Sequence, residues 1–281
     1  MNLADIKTIQ LILKREGFSF KKSLGQNFLI DPTVCPSMAE NACNENTGVL
    51  EIGPGIGVLT CELAKRAKKV VAIELDERLK KILPITLEEY DNIEIIFGDA
   101  MKLDLKSIIE EKFADCESVS VCANLPYYIT SPIIMMLLES KLPITSITVM
   151  VQKEAAVRLC AEVGTRDAGA VTAAVTYYAE KEILFEVGRD SFLPPPNVDS
   201  AVIKLNIRKD PPISVTDEKK FFSFVKACFA QRRKTLINTV SNTLNIPKET
   251  LRKVLEEIGI KETVRGEELT MEQLAEISKH I

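Results

Sequence analysis

Histidine is almost missing from this chain of 281 residues; the single one is His280, next to the last position. Ser-His-Asp nucleophile chemistry, His-Glu-x-x-His zinc sites and most imidazole acid–base catalysis are therefore excluded. Seven cysteines stand at 35, 43, 61, 116, 122, 160 and 228, with no Cys-x-x-Cys pair among them. An odd, scattered set reads as reduced thiols serving as small core residues, and no metal is expected. No stretch approaches the ~18 consecutive apolar residues of a membrane span. Asp5, Lys7, Lys14, Arg15 and Glu16 interrupt the opening segment, so no signal peptide is expected, and a cytoplasmic location is.

Basic charge is also short overall: the net charge is −4. That sum argues against a nucleic-acid partner, but distribution matters more. Lys7, Lys14, Arg15, Lys21 and Lys22 outnumber the acids of the first thirty residues, and Lys226, Arg232, Arg233 and Lys234 share a stretch with no acid. Either cluster alone reads equally well as a solvated helix face. Together they make Lys21, Lys22, Arg232, Arg233 and Lys234 candidates for phosphate contacts, on an otherwise acidic surface.

What is present is a regular alternation. Near-continuous apolar runs at 49–52, 70–75, 93–97, 119–123 and 144–151 read as strands. Helical patterns lie between them near 57–67, 77–89, 104–112 and 131–140. Such runs imply a parallel sheet covered on both faces. Ile6, Ile9 and Leu13 mark an opening amphipathic helix, and Asp31-Pro32 reads as the N-cap and first position of another. Stretches 171–187 and 198–207 read as strands that end the sheet in antiparallel pairing. Asp210-Pro211-Pro212 breaks the chain, and helical spacing follows: Phe221, Val225, Cys228 and Phe229 on one face, Leu251, Val254, Leu255 and Ile258 on another. Thr270-x-x-Gln273 is a capping box. The expected division is a catalytic domain over 1–210 and a small helical domain over 211–281.

Val49-Leu50-Glu51-Ile52-Gly53-Pro54-Gly55-Ile56-Gly57 is a strand-to-helix turn at the sheet edge where α/β proteins bind ligands. Gly53 and Gly55 let the backbone approach a ligand closely. A dinucleotide fingerprint needs its third glycine at 58, where Val58 stands, so a cofactor without pyrophosphate is favoured, with S-adenosylmethionine (SAM) leading. Glu74, ending the second strand, can accept both ribose hydroxyls, and Asp99, after the third, can accept an adenine amino group. Alone, each acid reads as a helix cap or a surface group. At successive strand ends beside a glycine turn, they read as a nucleoside site.

Asn124-Leu125-Pro126-Tyr127 follows the fourth strand at that same edge. The amine of adenine is a poor nucleophile because its lone pair is delocalised into the ring. The Asn124 side-chain oxygen and the Leu125 carbonyl can hold its two hydrogens and favour a pyramidal nitrogen as positive charge develops. Pro126 fixes the backbone direction and Tyr127 offers a stacking surface. No strong general base is needed, consistent with the missing histidine. In isolation the tetrapeptide would read as an ordinary turn.

These residues resemble the ribosomal RNA adenine N6-dimethyltransferase family almost end to end. Leu24-Gly25-Gln26-Asn27-Phe28-Leu29 is similar to the family's N-terminal cofactor motif, which implies SAM contacts for Asn27 and Leu29. The glycine turn, Glu74, Asp99 and Asn124 fall on its other cofactor and catalytic positions. Phe192-Leu193-Pro194-Pro195-Pro196-Asn197-Val198-Asp199-Ser200 resembles its F-x-P-x-P-x-V-x-S segment, which implies that Phe192 packs against the target base. The resemblance implies an α/β fold, a Rossmann-like class I SAM-dependent methyltransferase sheet with a small C-terminal all-helical domain. Phe229-Ala230-Gln231-Arg232-Arg233-Lys234-Thr235-Leu236 and the Leu-Gly-Gln-Asn-Phe opening resemble the small-subunit branch, implying 16S rRNA or an assembling small subunit as partner. Asp167-Ala168-Gly169 departs from that branch, which has an aromatic before the glycine. The alternatives are a large-subunit (23S) enzyme conferring antibiotic resistance and a non-catalytic ribosome-assembly factor of the same fold. A monomer is the default expectation.

Overall fold

Residues 3, 5–15, 17 and 28–281 are described in the structure, a computed structural model. Asn27, Lys21 and Lys22, expected above to bind cofactor and RNA, lie outside the described residues. The chain forms α1 (Ile6–Arg15), β1 (Phe28–Leu29), α2 (Val34–Ala42), β2 (Thr47–Ile52), α3 (Val58–Ala64), β3 (Lys69–Glu74), α4 (Leu83–Thr86) and β4 (Ile93–Phe97). Then come α5 (Leu105–Lys112), β5 (Ser118–Asn124), α6 (Thr130–Glu139), β6 (Ser146–Gln152), α7 (Lys153–Cys160), α8 (Ala170–Tyr178), β7 (Ala179–Val187), β8 (Phe192–Leu193) and β9 (Ser200–Ile207). Helices α9 (Glu218–Phe229), α10 (Leu236–Leu244), α11 (Lys248–Glu257) and α12 (Met271–Lys279) complete it.

The main sheet has seven strands in the order β4-β3-β2-β5-β6-β9-β7. β2 pairs in parallel with β3 and β5, β3 with β4, and β5 with β6, while β9 runs antiparallel to β6. Every residue of β2 is buried, which is why the central strands read as unbroken apolar runs rather than alternating ones. Strand order reverses between β2 and β5. Their carboxyl ends therefore diverge at a switch point, the usual ligand crevice of such sheets. One core cluster joins α2 and α3 to the sheet through Met38, Ala39, Leu63 and Val70. Another collects Ile9 and Leu13 of α1 with Ile56, Leu79 and Leu83. Each fully buried aliphatic side chain there contributes about 1.5–3 kcal/mol.

Contacts divide the chain into two compact units, Met1–Ala156 with Glu182–Ile207, and Val157–Lys181 with Arg208–Ile281. The segment around α8 thus groups with the C-terminal helices, although the expected boundary at 210 placed it with the sheet. Residues 171–178 are also helix, not strand. Ala170-Val171-Thr172-Ala173-Ala174-Val175 is apolar on every side, so its spacing does not separate a buried helix from a strand. Local chemistry decides: the Gly169 amide donates to Thr172 Oγ1 at 2.9 Å, closing the first turn. A smaller correction concerns Asp31-Pro32. Asp31 accepts from the Thr33 amide at 2.9 Å, which forms a turn, and α2 begins only at Val34. Within the second unit, Phe222 meets Tyr177 edge-on at 5.2 Å and stacks on Tyr178 at 5.3 Å. The box at Thr270 forms as expected, with the Gln273 amide donating to Thr270 Oγ1 at 3.3 Å and Gln273 Oε1 accepting from the Thr270 amide at 3.0 Å.

Candidate active site

β2 ends at Ile52 and the chain turns through Gly53, Gly55 and Gly57, whose φ angles are +74°, +58° and +94°. At Gly53 a Cβ would meet nothing within 4 Å, so the left-handed backbone alone demands glycine there. At Gly57 both reasons apply, because an added Cβ would lie 2.7 Å from Leu87 Cδ2. The Gly53 amide donates to the Ile73 carbonyl at 2.9 Å, fixing the turn beside the end of β3.

Glu74 ends β3 and is buried. Its Oε2 accepts from the Gly55 amide at 3.1 Å and its Oε1 from the Asp76 amide at 2.7 Å. Burial raises its pKa, and the two backbone donors partly oppose that rise. Each carboxylate oxygen keeps a further lone pair for a ligand hydroxyl. Asp99 follows β4, where Oδ1 accepts from the Met101 amide at 3.0 Å and Oδ2 lies 3.4 Å from Lys102 Nζ.

Asn124 is the last residue of β5 and sits opposite Met150. Leu125 is buried, and its amide donates to the Met150 carbonyl at 3.3 Å. Pro126, at φ −56° and ψ 133°, directs the chain into a 3₁₀ turn over Tyr127–Ile129 that leads into α6. The Tyr127 hydroxyl lies 2.8 Å from Ser200 Oγ, and burial raises the phenol pKa. Phe192 reaches the same place from far along the sequence. β8 pairs antiparallel with β1, setting Phe192 opposite Leu29, and both side chains are buried. The Ile30 amide donates to the Ser191 carbonyl at 2.8 Å, continuing that contact.

One cavity of about 350 Å³ collects these groups: Leu29, Gly53, Gly55, Glu74, Asp99, Asn124, Leu125, Pro126, Tyr127 and Phe192 all line it. Every described residue expected to bind cofactor or carry the chemistry therefore faces one space. Arg232, Arg233 and Lys234 lie on the exposed turn after α9 in the second unit. Arg232 donates to the Arg166 carbonyl and lies 3.9 Å from Glu267, so part of its charge is used internally.

The same cavity is lined by a residue that sequence reasoning quoted but did not assign, Glu51. It is 1% exposed, its Oε2 has no hydrogen-bond partner, and burial pushes its carboxyl up to about 8. The Thr60 hydroxyl tempers that rise but reaches no partner with full hydrogen-bond geometry. The available signal was an acid inside an otherwise apolar strand, directly before the glycine turn. Among the described residues, no group of three or more His, Cys, Asp or Glu side chains is arranged to hold a metal ion. No helix among them is long and apolar enough to cross a membrane.

The sequence matches the family described as Ribosomal RNA adenine dimethylase over residues 17–281. Ribosomal RNA small subunit methyltransferase A of Geobacillus thermodenitrificans is 53% identical over 273 residues, covering 95% of this chain and 92% of that protein. Its namesake from Bacillus licheniformis is 50% identical over 274 residues, covering 96% and 94%. Among solved structures, a dimethyladenosine transferase from Plasmodium falciparum has a TM-score of 0.72 at 29% identity, covering 89% of this chain and 95% of that one. The 23S rRNA methyltransferase ErmE has a TM-score of 0.66 at 27% identity, covering 90% and 99%.

Proposed function

Since this chain belongs to the ribosomal RNA adenine dimethylase family, we propose that it dimethylates N6 of two adjacent adenines near the 3′ end of 16S rRNA. The observation that carries the reading is the shared cavity, where a nucleoside-type site and Asn124-Leu125-Pro126-Tyr127 face one another. Identities of 50–53% to small-subunit enzymes, against 27% to the 23S enzyme, favour the small subunit as substrate. A cytoplasmic role in small-subunit biogenesis follows from that substrate.

The family implies SAM, and the residues present suit it. The open backbone at Gly53 leaves room beside the turn, Glu74 can take ribose hydroxyls, and the unpartnered Glu51 oxygen is free to hydrogen-bond a polar group of the ligand. Asp99 is placed for the adenine amino group and Leu29 for apolar contact. When bound, SAM supplies a methyl group on a positively charged sulfur. The Asn124 oxygen and the Leu125 carbonyl then accept the hydrogens of the target amine and draw its nitrogen toward tetrahedral geometry. Tyr127 stacks on the base, worth about 1–3 kcal/mol, and Phe192 packs against it. The adenine must leave its stack to reach them. Arg233 and Lys234, with Arg232 and the N-terminal Lys21 and Lys22, supply phosphate contacts. The helical unit is thus read as the RNA-binding domain.

The test is transfer of labelled methyl groups to small subunits that lack this modification. Label should appear on both neighbouring adenines, two groups on each. Label confined to large-subunit RNA, or none at all, defeats the proposal.

A further inference from the structure

Ser200 opens β9 with no exposed surface, opposite Gln152 of β6. Asp199, just before it, is held twice, once through its backbone and once through its side chain. The Lys153 amide donates to the Asp199 carbonyl at 3.0 Å, and the Arg189 amide donates to Asp199 Oδ1 at 3.0 Å. The backbone that carries the serine hydroxyl is therefore well anchored. The Tyr127 hydroxyl lies 2.8 Å from it, across 73 residues of sequence. Tyr127 itself stands on a short 3₁₀ turn at the cavity wall and is half-buried.

We propose that Ser200 is a positioning residue for methyl transfer, pinning the Tyr127 hydroxyl and so fixing the ring plane on which the target adenine stacks. This rests on the reading of Tyr127 as the base platform. A tether at the far end of the ring restricts both of its torsions, which the Pro126 backbone cannot do. RNA affinity comes mainly from phosphate contacts rather than from stacking on one ring. Loss of the tether should therefore misalign the base after binding and lower turnover rather than affinity.

The experiment uses the full chain with small subunits as substrate and compares Ser200→Ala, Tyr127→Phe, their combination and Tyr127→Ala. Methyl-transfer rate, KM for the subunit, SAM affinity and thermal midpoint are recorded for each. Ser200→Ala and Tyr127→Phe should each lower kcat about three- to tenfold, the net worth of one hydrogen bond. KM and SAM affinity should stay within about twofold, and the double variant should lose no more than either single one. Additive losses, or wild-type kcat in Tyr127→Phe, overturn the proposal and leave Ser200 as a packed core group. If Ser200→Ala fails to fold, Tyr127→Phe decides alone, because it removes the same bond without touching the buried serine. Wild-type turnover in Tyr127→Ala would instead defeat the platform reading itself. A dead Tyr127→Ala beside a fully active Tyr127→Phe defeats only the role given to Ser200.

Discussion

Replacing Glu51 by Gln should make the protein more stable at neutral and alkaline pH, and the gain should grow with pH. Glu51 lies in the fully buried strand β2, and one of its oxygens has no partner. Burial is the main cause of its rise to about 8 from 4.5, with Glu74 adding repulsion and Thr60 opposing. Between those two values the folded chain holds a proton that the unfolded chain has released. Stability is therefore highest below pH 4.5, falls as pH rises, and carries the full cost above 8. At 1.36 kcal/mol per pH unit, that cost is about 2 kcal/mol at pH 6 and roughly 4–5 kcal/mol at pH 9. Cys35, Cys61 and Cys122 lie close by, but burial raises each of them too, and they keep their protons in the fold over this range. The glutamine amide keeps the shape and cannot ionise. Urea unfolding of both proteins at pH 6, 7, 8 and 9 reads the difference directly. The wild type should lose about 2–3 kcal/mol more than the variant between pH 6 and 9. Parallel curves would refute the assignment of a buried, protonated carboxyl.

Four further variants test the site and the helical unit. Asn124→Ala should abolish methyl transfer while SAM affinity, measured by calorimetry, stays nearly intact; Glu74→Ala should weaken SAM binding ~10-fold or more through lost charge-assisted bonds. Equal damage to both properties by both changes would contradict the division of roles. Replacing Arg233 and Lys234 together by Ala should weaken RNA binding and flatten its salt dependence, each lost phosphate contact removing about 0.7–0.9 from the log–log slope. An unchanged slope would remove them from the interface. Gly57→Ala should lower stability by about 1–3 kcal/mol in thermal unfolding, since it forces Cβ onto Leu87 with φ at +94°.

Strands β2 to β6 were legible to within two residues; β2, β3, β5 and β6 are buried on both faces and so largely apolar, and the half-buried edge strand β4 keeps four apolar residues of five. The same property hid α8, where apolar residues on every side erase the helical period. The Gly169–Thr172 bond that closes its first turn has no signature in spacing. In the site, Gly53, Gly55, Glu74, Asp99 and Asn124 were readable because each ends or follows a strand that stops at the same edge. Phe192 was legible only through family resemblance, since its place depends on two residues of β8 pairing with Leu29 and Phe28. Glu51 was passed over for a related reason: in a fully buried strand, alternation does not say which face an acid takes. The Tyr127–Ser200 contact joins residues that no local pattern relates.

The antiparallel strand explains how so distant a segment reaches the cavity at all. Parallel strands deliver only their carboxyl ends to the rim, so Gly53, Glu74, Asp99 and Asn124 each follow or end one. β9 reverses that direction, and Ser200, its first residue, sits opposite Gln152, the last residue of β6. Everything just before β9, Phe192 included, is thereby brought to the rim as well. Had β9 run parallel to β6, Ser200 would start at the opposite edge, roughly 25 Å away at about 3.3 Å per residue. Tyr127 would then have no Ser200 hydroxyl to meet, and Phe192 no short route back to Leu29. The reversal of one strand is thus what lets Phe192 join Leu29 and the strand-end residues between 51 and 127 around a single cavity.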